Sequence, residues 1–241
     1  MPDKVHTETQ FWRVLDSQWI HTHMDFALPR DYNPKNTPSE YIKRFYRNID
    51  DVLQERYDGV IITWAAVETL EFEEVQYWEW LVEIMKWTRT NVWSTLHVCW
   101  WSMAWLYYHH WLGKELYREK LFGIYKQDRV DSTDPLLRSM TWELYIPQAR
   151  NAGTIKDKYG DDLVRVSWDR DSWATIVSNQ DLSQIYINWH LEYRVEDIEN
   201  EYRRDKAKNP SQWPVQGLEK GFVWKTAGKQ FFENWRDICR K

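Results

Sequence analysis

Short apolar runs alternate with longer amphipathic segments along this chain. Residues 57–64 form a run rich in β-branched side chains, and residues 94–98 form a second run, which ends at Cys99. Such short runs predict strands that are buried on both faces. Residues 73–90 repeat apolar side chains at helical spacing with charges between them, and residues 102–108 predict another helix. The expected order is therefore strand, helix, strand, helix.

The second half of the chain carries shorter apolar runs. They predict three further strands, at residues 163–167, 174–177 and 185–188. A charged helix is expected at residues 195–206, and the proline-containing stretch 208–221 predicts a loop before a final amphipathic segment. This alternation predicts an α/β fold with a mainly parallel sheet that helices cover on both faces. Reacting groups gather beyond the carboxyl ends of such strands, and Cys99 and His190 each follow a predicted strand.

Length and composition favour a single domain spanning residues 1–241. The chain has 241 residues, and its apolar (43%) and charged (29%) fractions are ordinary for a globular protein. No apolar run approaches the length of a membrane span, and the first residues lack the apolar core of a signal peptide. We therefore expect a cytoplasmic protein without a membrane partner. The net charge of −5 comes without a basic tract, which argues against a nucleic-acid partner.

Cys99 is a candidate nucleophile. The only other cysteine is Cys239, so the chain has no disulfide framework and fits a reducing compartment. A thiol at a strand-to-helix turn lies where the helix dipole favours the thiolate, although most free cysteines are small buried hydrophobic side chains. His190 and Glu192 follow a predicted strand at the same edge, where a carboxylate can orient an imidazole base. Such a pair is also common on protein surfaces, so these residues alone do not decide between chemistry and structure.

Three longer motifs resemble the homoserine O-acyltransferases of methionine biosynthesis, which use succinyl or acetyl donors. They are IITWAAVETLEFEEVQYW at residues 61–78, STLHVCW at residues 94–100 and EKLFGIY at residues 119–125. The resemblance implies the class I glutamine amidotransferase-like fold, a flavodoxin-like three-layer sandwich. Met1 resembles an internal position of the family, so the usual first strand is expected to be missing, either through a late start codon or through loss of a sheet edge.

The resemblance also implies a ping-pong acyl transfer. In it, Cys99 is the nucleophile that an acyl-CoA converts into a thioester, His190 is the proton acceptor and Glu192 is the partner of His190. The backbone N–H groups of Trp100 and Ala65 are implied to hold the oxyanion. The resemblance implies no metal and no cofactor, acetyl-CoA or succinyl-CoA as co-substrate, and a homodimer.

Positions that select substrates follow from the same resemblance. Lys120 and Arg204 fall on substrate-binding positions of the family. A guanidinium suits the carboxylate of an amino acid. Without the resemblance, Arg204 is interpreted as a solvated charge on a helix. Glu68 falls on the position linked to donor choice, where Glu accompanies acetyl-CoA and Gly accompanies succinyl-CoA, so acetyl is expected. Ala149 replaces the serine of the family's Pro-His-Ser-Arg. Because some family members acetylate serine, serine stays an alternative to homoserine as acceptor.

The chain departs from the family at several tryptophans. It has 18 Trp and only 8 Gly, although Trp is ordinarily rare and Gly common. The resemblance implies glycine at five of these positions, with alanine as an alternative at the second: Trp64, Trp101, Trp105, Trp111 and Trp189. The family also has tryptophan at Trp78, Trp87, Trp100, Trp224 and Trp235.

An indole in place of glycine at position 64, 101 or 189 is expected to fill the catalytic cleft. One hypothesis is that the source reads the codon UGA as glycine, whereas the conceptual translation has tryptophan. An inactive paralogue that binds without catalysing is the alternative. A glutamine amidotransferase or peptidase of the same fold is a further one, and the residues matched at Glu68, Lys120 and Arg204 argue against it.

Overall fold

The computed structural model describes residues 4–16, 22–30, 32, 36–63, 67–129, 133–140, 143–155, 159–171, 173–210 and 214–240. The helices are α1 (Lys4–Leu15), α2 (Ser39–Phe45), α3 (Ile49–Val52), α4 (Trp78–Asn91), α5 (Trp100–His110), α6 (Val195–Lys208) and α7 (Lys225–Cys239). The strands are β1 (Phe26–Ala27), β2 (Tyr46–Arg47), β3 (Tyr57–Ile62), β4 (Val92–Val98), β5 (Lys114–Arg129), β6 (Leu144–Thr154), β7 (Leu163–Asp169), β8 (Trp173–Asn179) and β9 (Gln184–Ile187).

The main sheet is mixed. Within the described residues it has seven strands in the order β3-β4-β9-β8-β7-β5-β6. β4 pairs in parallel with β3 and β9, whereas the remaining neighbours pair antiparallel. The expectation of a mainly parallel sheet is therefore wrong. The physical reason is that only a few residues link β7 to β8 and β8 to β9, and a parallel pair needs a crossover of a dozen residues or more.

Helices cover both faces of the parallel strands. On one face, α1 and α7 pack in a core that includes Leu96 and Val98 of β4. On the other face, α4 and α5 form a second core with Tyr186 of β9. Successive side chains of a strand point to opposite faces, and His97, between Leu96 and Val98, accordingly contacts Trp105 of α5 with ring centroids 4.2 Å apart. The predicted α/β layering is thus present around β4.

Gly59 lies where β3 contacts α7. A Cβ atom at this position would be 2.8 Å from Cys239 Sγ and 2.9 Å from Trp235 Cζ2. Only glycine allows this close approach between strand and helix. Burial in this contact raises the pKa of Cys239 to about 12, so Cys239 is an unreactive core thiol.

Seven elements were not predicted from the sequence: the strands β1, β2, β5 and β6 and the helices α1, α2 and α3. β5 carries charges along most of its length, which hides its apolar alternation, and β6 contains Pro147, a residue that argues against a strand. The helix expected at residues 73–90 begins only at Trp78, after a short helical turn at Phe72–Glu74. The strand expected at residues 57–64 ends at Ile62, and the last residue of that prediction lies outside the described residues.

The other predicted elements are present with small shifts at their ends, and the described residues of the stretch 208–221 form turns and one short helical turn at Leu218–Lys220. None of the helices in the described ranges combines the length and apolarity that a membrane span requires.

Candidate active site

Cys99 forms the turn between β4 and α5. Its backbone N–H donates to the carbonyl oxygen of Ile187 at 2.8 Å, which extends the pairing of β4 and β9 by one residue. The φ angle of Cys99 is 65°, in a region that residues other than glycine rarely adopt. A strained turn between strand and helix presents a nucleophile at the end of a sheet, and the Cys99 side chain is half-buried.

Two polar side chains hold this turn. Ser102 Oγ lies 2.7 Å from the carbonyl oxygen of Cys99 and 2.6 Å from Asn188 Oδ1. Asn188 in turn donates a side-chain N–H to the carbonyl oxygen of Ala174 at 2.6 Å. Strained backbone persists where surrounding contacts fix it, so Ser102 and Asn188 are supporting residues. The sequence analysis singled out neither.

His190 and Glu192 lie together beyond β9. His190 Nδ1 donates to Glu192 Oε1 at 2.6 Å, and both side chains are buried. The Cys99 side chain lies close enough to His190 to raise the pKa of the imidazole, and because Nδ1 is bound to Glu192, Nε2 is the ring nitrogen left for the sulfur. The structure thus brings the three predicted catalytic side chains together in the order sulfur, imidazole, carboxylate, the arrangement of an activated nucleophile.

The neighbours of His190 set its charge. Burial by itself lowers the pKa of His190, but the negative charges of Glu192 and Cys99 and their hydrogen bonds outweigh burial and raise it to about 10. The imidazole is therefore protonated at neutral pH. A protonated imidazole beside the sulfur suits a thiolate nucleophile, and its proton is available to a leaving group.

Tyr193 and Arg13 surround this pair, and the sequence analysis singled out neither. The Tyr193 ring stacks on His190 with centroids 4.5 Å apart and an interplanar angle of 12°. Burial, followed by the charges of Glu201 and Glu192, raises the pKa of Tyr193 well above its usual value, so its hydroxyl stays neutral. Arg13 of α1 donates to the carbonyl oxygen of Glu192. Tyr193 is adjacent to Glu192 in the chain, whereas no local signal marks Arg13.

Lys120 of β5 and Arg204 of α6 share two carboxylates. Lys120 Nζ lies 3.3 Å from Glu201 Oε1 and also contacts Asp205. Arg204 Nη2 donates to Glu201 Oε1 at 2.9 Å, and Arg204 Nε donates to Asp205 at 3.3 Å. Arg204 Nη1 makes no hydrogen bond within the described part of the chain, which leaves donors for a ligand carboxylate. The charge of Glu201 raises the pKa of Tyr193, whose ring stacks on His190, so this cluster lies close to the His190 imidazole.

Glu68 is held by the two long antiparallel strands. Asn151 of β6 donates its side-chain Nδ2–H to Glu68 Oε1 at 2.6 Å and its backbone N–H to Glu68 Oε2 at 3.3 Å. Lys114 of β5 donates to the carbonyl oxygen of Glu68 at 3.0 Å. The carboxylate expected to select the donor is therefore fixed in position by Asn151, a residue that the sequence analysis did not identify.

Ala149 lies in the core of the β5–β6 pair, where it is buried opposite Phe122. The neighbouring Gln148 is completely buried, and neither atom of its side-chain amide has a hydrogen-bond partner among the described residues. A buried amide of this kind is a group that a ligand or a water molecule can satisfy. Gln148 stands where the family has the histidine of Pro-His-Ser-Arg.

One of the two expected oxyanion donors can be described. Trp100 is the first residue of α5, so its backbone N–H has no acceptor within the helix and lies next to Cys99 in the chain. Ala65 and the preceding Trp64 lie outside the described residues.

The tryptophans expected as glycines have unusual surroundings. Trp101 and Trp189 are buried, and their indole N–H groups have no partner in the described ranges. The Trp189 ring contacts His190 with centroids 4.8 Å apart. Trp111 ends α5 with a φ angle of 55° and is 80% exposed, in a conformation typical of glycine at this position of a helix. Trp105 differs, because it is buried against His97.

Two tryptophans that the family shares have indole hydrogen bonds. Trp224 donates its indole N–H to the carbonyl oxygen of Tyr193 at 2.9 Å, and Trp235 donates to Ser94 Oγ at 3.0 Å. Trp100, also shared with the family, has no such partner among the described residues. The missing partner alone therefore does not separate the two sets. Contact with His190 distinguishes Trp189, and a positive φ angle distinguishes Trp111, whereas Trp101 and Trp105 show neither feature.

Sequence comparison decides the family. Residues 1–240 match the profile of the family described as Homoserine O-succinyltransferase. The chain belongs to this family. Among its relatives, the homoserine O-acetyltransferase of Bacillus subtilis is 34% identical over 244 residues, which cover 98% of this chain and 81% of the relative. The homoserine O-acetyltransferase of Clostridium novyi is 36% identical over 251 residues, with coverages of 98% and 81%.

Solved structures show the fold of this homoserine O-succinyltransferase family member. A glutamine amidotransferase from Thermotoga maritima superposes with a TM-score of 0.58 at 14% identity, covering 84% of this chain and 91% of that one. A glutamine amidotransferase from Methylobacillus flagellatus gives 0.59 at 11% identity, with coverages of 83% and 88%. At such low identity the likeness concerns the fold only, and it agrees with the class I glutamine amidotransferase-like fold expected from the sequence.

Proposed function

We propose that this chain transfers an acetyl group from acetyl-CoA, through a thioester on Cys99, to the hydroxyl of L-homoserine, a step of methionine biosynthesis. The observation that carries the proposal is the contact of Cys99 with the buried pair His190 and Glu192, in a chain that matches the family over residues 1–240. The curated relatives named above are homoserine O-acetyltransferases, which supports acetyl as the acyl group.

In the first half-reaction, the Cys99 sulfur bonds to the carbonyl carbon of acetyl-CoA. The negative charge that develops on the carbonyl oxygen is stabilised by the Trp100 backbone N–H at the start of α5. The bond between the carbonyl carbon and the CoA sulfur then breaks, and the CoA sulfur takes the proton of the His190 imidazolium. This step leaves acetyl-Cys99 and a neutral imidazole.

In the second half-reaction, the hydroxyl oxygen of homoserine bonds to the carbonyl carbon of acetyl-Cys99 and its proton passes to neutral His190. The bond to the Cys99 sulfur breaks, which restores the thiolate and the imidazolium. Glu192 keeps the ring in the tautomer that has Nε2 toward the sulfur and stabilises the imidazolium that forms in this step.

Glu68 supports acetyl-CoA as the donor. A succinyl group carries a second carboxylate, and the fixed carboxylate of Glu68 repels it, whereas an acetyl group has no such charge. Asn151 holds both oxygens of Glu68, so the repelling charge keeps one position.

Arg204 and Lys120 support an amino-acid acceptor. The free Nη1 of Arg204 suits the carboxylate of homoserine, and Lys120 ties this cluster to β5. Serine stays a second candidate acceptor, because Gln148 and Ala149 replace the residues of the homoserine enzymes and Gln148 has a buried amide without partners.

One assay tests donor and acceptor together. Steady-state acyl transfer is measured for homoserine and serine, each with acetyl-CoA and with succinyl-CoA. We expect the highest kcat/KM for homoserine with acetyl-CoA. Preference for serine would overturn the acceptor while leaving the Cys99 chemistry in place, and preference for succinyl-CoA would overturn the role of Glu68. A homodimer, implied by the resemblance, is also a proposal, and light scattering of the purified protein tests it.

A further inference from the structure

A cavity of 810 Å³ lies where α4 crosses the C-terminal end of α5. Its volume is in the range of pockets that hold small molecules. The residues that line it are aromatic or charged: Glu73, Trp78, Lys86, Arg89, Thr90, Tyr107, Tyr108, His109 and Trp111. None of these side chains has a part in the chemistry at Cys99.

One end of the cavity is cationic. Lys86 and Arg89 lie about one helical turn apart on α4. Neither forms an ion pair with a carboxylate among the described residues. Arg89 Nη1 lies 3.2 Å from His109 Nδ1. Burial, followed by the charge of Arg89, lowers the pKa of His109 to about 4, so His109 is neutral at pH 7 and its Nδ1 accepts from Arg89. Two cations without counter-charges on the wall of a cavity favour an anionic ligand.

The other end of the cavity is aromatic. The Trp78 ring lies 6.1 Å from that of Tyr107 and 6.4 Å from that of Tyr108, measured between centroids. Glu73 accepts a hydrogen bond from the Tyr107 hydroxyl. Aromatic faces of this kind suit a heterocyclic base, and a carboxylate beside them suits a base that carries an exocyclic amino group.

Phe72, a buried residue, packs between the aromatic end of the cavity and the candidate active site. The Phe72 ring stacks on Tyr107 with centroids 4.6 Å apart and lies 5.9 Å from the ring of Trp100, the residue after Cys99. Lys114, which binds the carbonyl oxygen of Glu68, lies over the Phe72 ring at 4.9 Å. One buried side chain, Phe72, therefore separates the cavity from Trp100, whose backbone N–H is expected to hold the oxyanion.

We propose that this cavity binds the nucleotide portion of the acyl-CoA donor, with its phosphate groups at Lys86 and Arg89 and its adenine ring against Trp78, Tyr107 and Tyr108. The inference rests on the proposed function, because it assigns the far end of the same donor. The distance fits: α5 has eleven residues and is about 16 Å long, a length comparable to the pantetheine arm that joins the nucleotide to the thioester. Trp111, exposed at the rim, is not needed for this assignment.

The two cations have a simpler structural explanation, which the experiment must separate from binding. Lys86 and Arg89 lie near the C-terminal end of α4, where positive charges offset the helix dipole. If that were their only role, removing them would lower the melting temperature and leave the KM for every donor unchanged.

The test compares two acetyl donors, acetyl-CoA and S-acetylpantetheine, which lacks the nucleotide. In the double variant Lys86→Ala and Arg89→Ala, we expect the KM for acetyl-CoA to rise by at least about tenfold, since a hydrogen bond to a charged group contributes about 1.5–3 kcal/mol. The KM for S-acetylpantetheine should not change. Lys229→Ala, which removes an exposed lysine on α7, is the matched control and should change neither value. An equal change for both donors, or no change for either, would overturn the assignment.

A binding measurement separates this inference from the proposed function. Calorimetry with adenosine 3′,5′-bisphosphate should show binding to the unaltered protein and at least about tenfold weaker binding to the double variant. If the protein binds this nucleotide at Lys86 and Arg89 but transfers no acetyl group from either donor, the proposed function fails and the nucleotide site stands. If it transfers acetyl groups and the double variant binds the nucleotide as well as the unaltered protein does, the site fails and the function stands.

Discussion

The parallel and antiparallel halves of the sheet contribute different parts of the candidate site. The parallel strands β4 and β9 lead to Cys99 and His190, which their pairing brings to one edge. The antiparallel strands β5 and β6 contribute Lys120 and Asn151, whose partners are Glu201 and Asp205 of α6 and the carboxylate of Glu68. The topology of parallel strands is enough to place Cys99 and His190 at one edge. The antiparallel pair instead contributes through the side chains of Lys120 and Asn151. Under the proposed function, chemistry and substrate selection therefore depend on separate parts of the sheet, and we expect that each can be changed separately.

The largest expected effect lies in the parallel half. His190→Gln should lower the rate of acetyl transfer by about 10²–10⁴-fold, because it removes the group that donates and accepts the proton. The KM for acetyl-CoA should change little. Single-turnover release of CoA checks this, with His23→Gln as the matched control, since the His23 side chain is 91% exposed. A His190 variant with an unchanged rate would contradict the division between the two halves.

Glu192→Gln, also in the parallel half, should change the pH dependence of CoA release. Glu192 raises the pKa of His190, which is about 10 in the fold, so the variant's His190 should lose its proton at lower pH. Release of CoA requires that proton, so the alkaline fall in its rate should move to lower pH. Rates of CoA release between pH 6 and pH 10.5 measure the shift, and an alkaline fall at the same pH as in the unaltered protein would show that Glu192 does not set the charge of His190.

The stability of the fold, like the rate of CoA release, should fall as the pH rises toward 10. The pKa of His190 in the fold, about 10, lies above its ordinary value of 6.5. Its protonation therefore stabilises the fold fully below pH 6.5, and this contribution is lost as the pH rises to 10. Melting temperatures over this range should fall more in the unaltered protein than in His190→Gln, and equal slopes would contradict the assignment.

Replacing Trp101 and Trp189 by glycine should raise the rate of the first half-reaction by at least about tenfold, if the glycine hypothesis is correct. The reason is that the Trp189 indole contacts His190, beside the sulfur to which the acyl group is expected to bind. The same pair of changes at Trp224 and Trp235, whose indoles donate hydrogen bonds, should destabilise the fold. Coding DNA gives an independent answer: UGG codons at positions 64, 101 and 189 would contradict the hypothesis.

The smallest expected effect lies in the antiparallel half. Asn151→Ala releases the Glu68 carboxylate, so the preference for acetyl-CoA over succinyl-CoA should fall by about tenfold, the worth of one hydrogen bond to a charged group. The rate with acetyl-CoA should change little. Asn91→Ala, outside the site, is the control. A loss of activity with both donors would assign Asn151 to the fold instead of to donor selection.

The sequence predicted the parallel half better than the antiparallel half. The apolar runs that become β3, β4 and β9 are buried on both faces, so their pattern is clear, and the turn that follows each of β4 and β9 supplies a reactive side chain. β5 and β6 carry charges and Pro147 within their strands, and their pairing with each other overrides these local signals.

The residues that support the site could not be predicted from local sequence patterns. Arg13 reaches the Glu192 carbonyl across a separation of 179 residues, and Asn151 reaches Glu68 across 83. Only the folded chain brings such pairs together, and no periodicity marks them. The roles expected of Cys99, His190 and Glu192 came from the family resemblance, and these residues lie next to predicted strand ends, where the local pattern agrees with it.

The most direct test is the mass of the protein after incubation with acetyl-CoA in the absence of an acceptor. The proposed thioester predicts one acetyl group on the peptide that contains Cys99, its transfer on addition of homoserine, and its absence in Cys99→Ala, while Cys239→Ala keeps it. Acetylation of homoserine without any adduct on Cys99, or an adduct that persists in Cys99→Ala, would contradict the thioester mechanism.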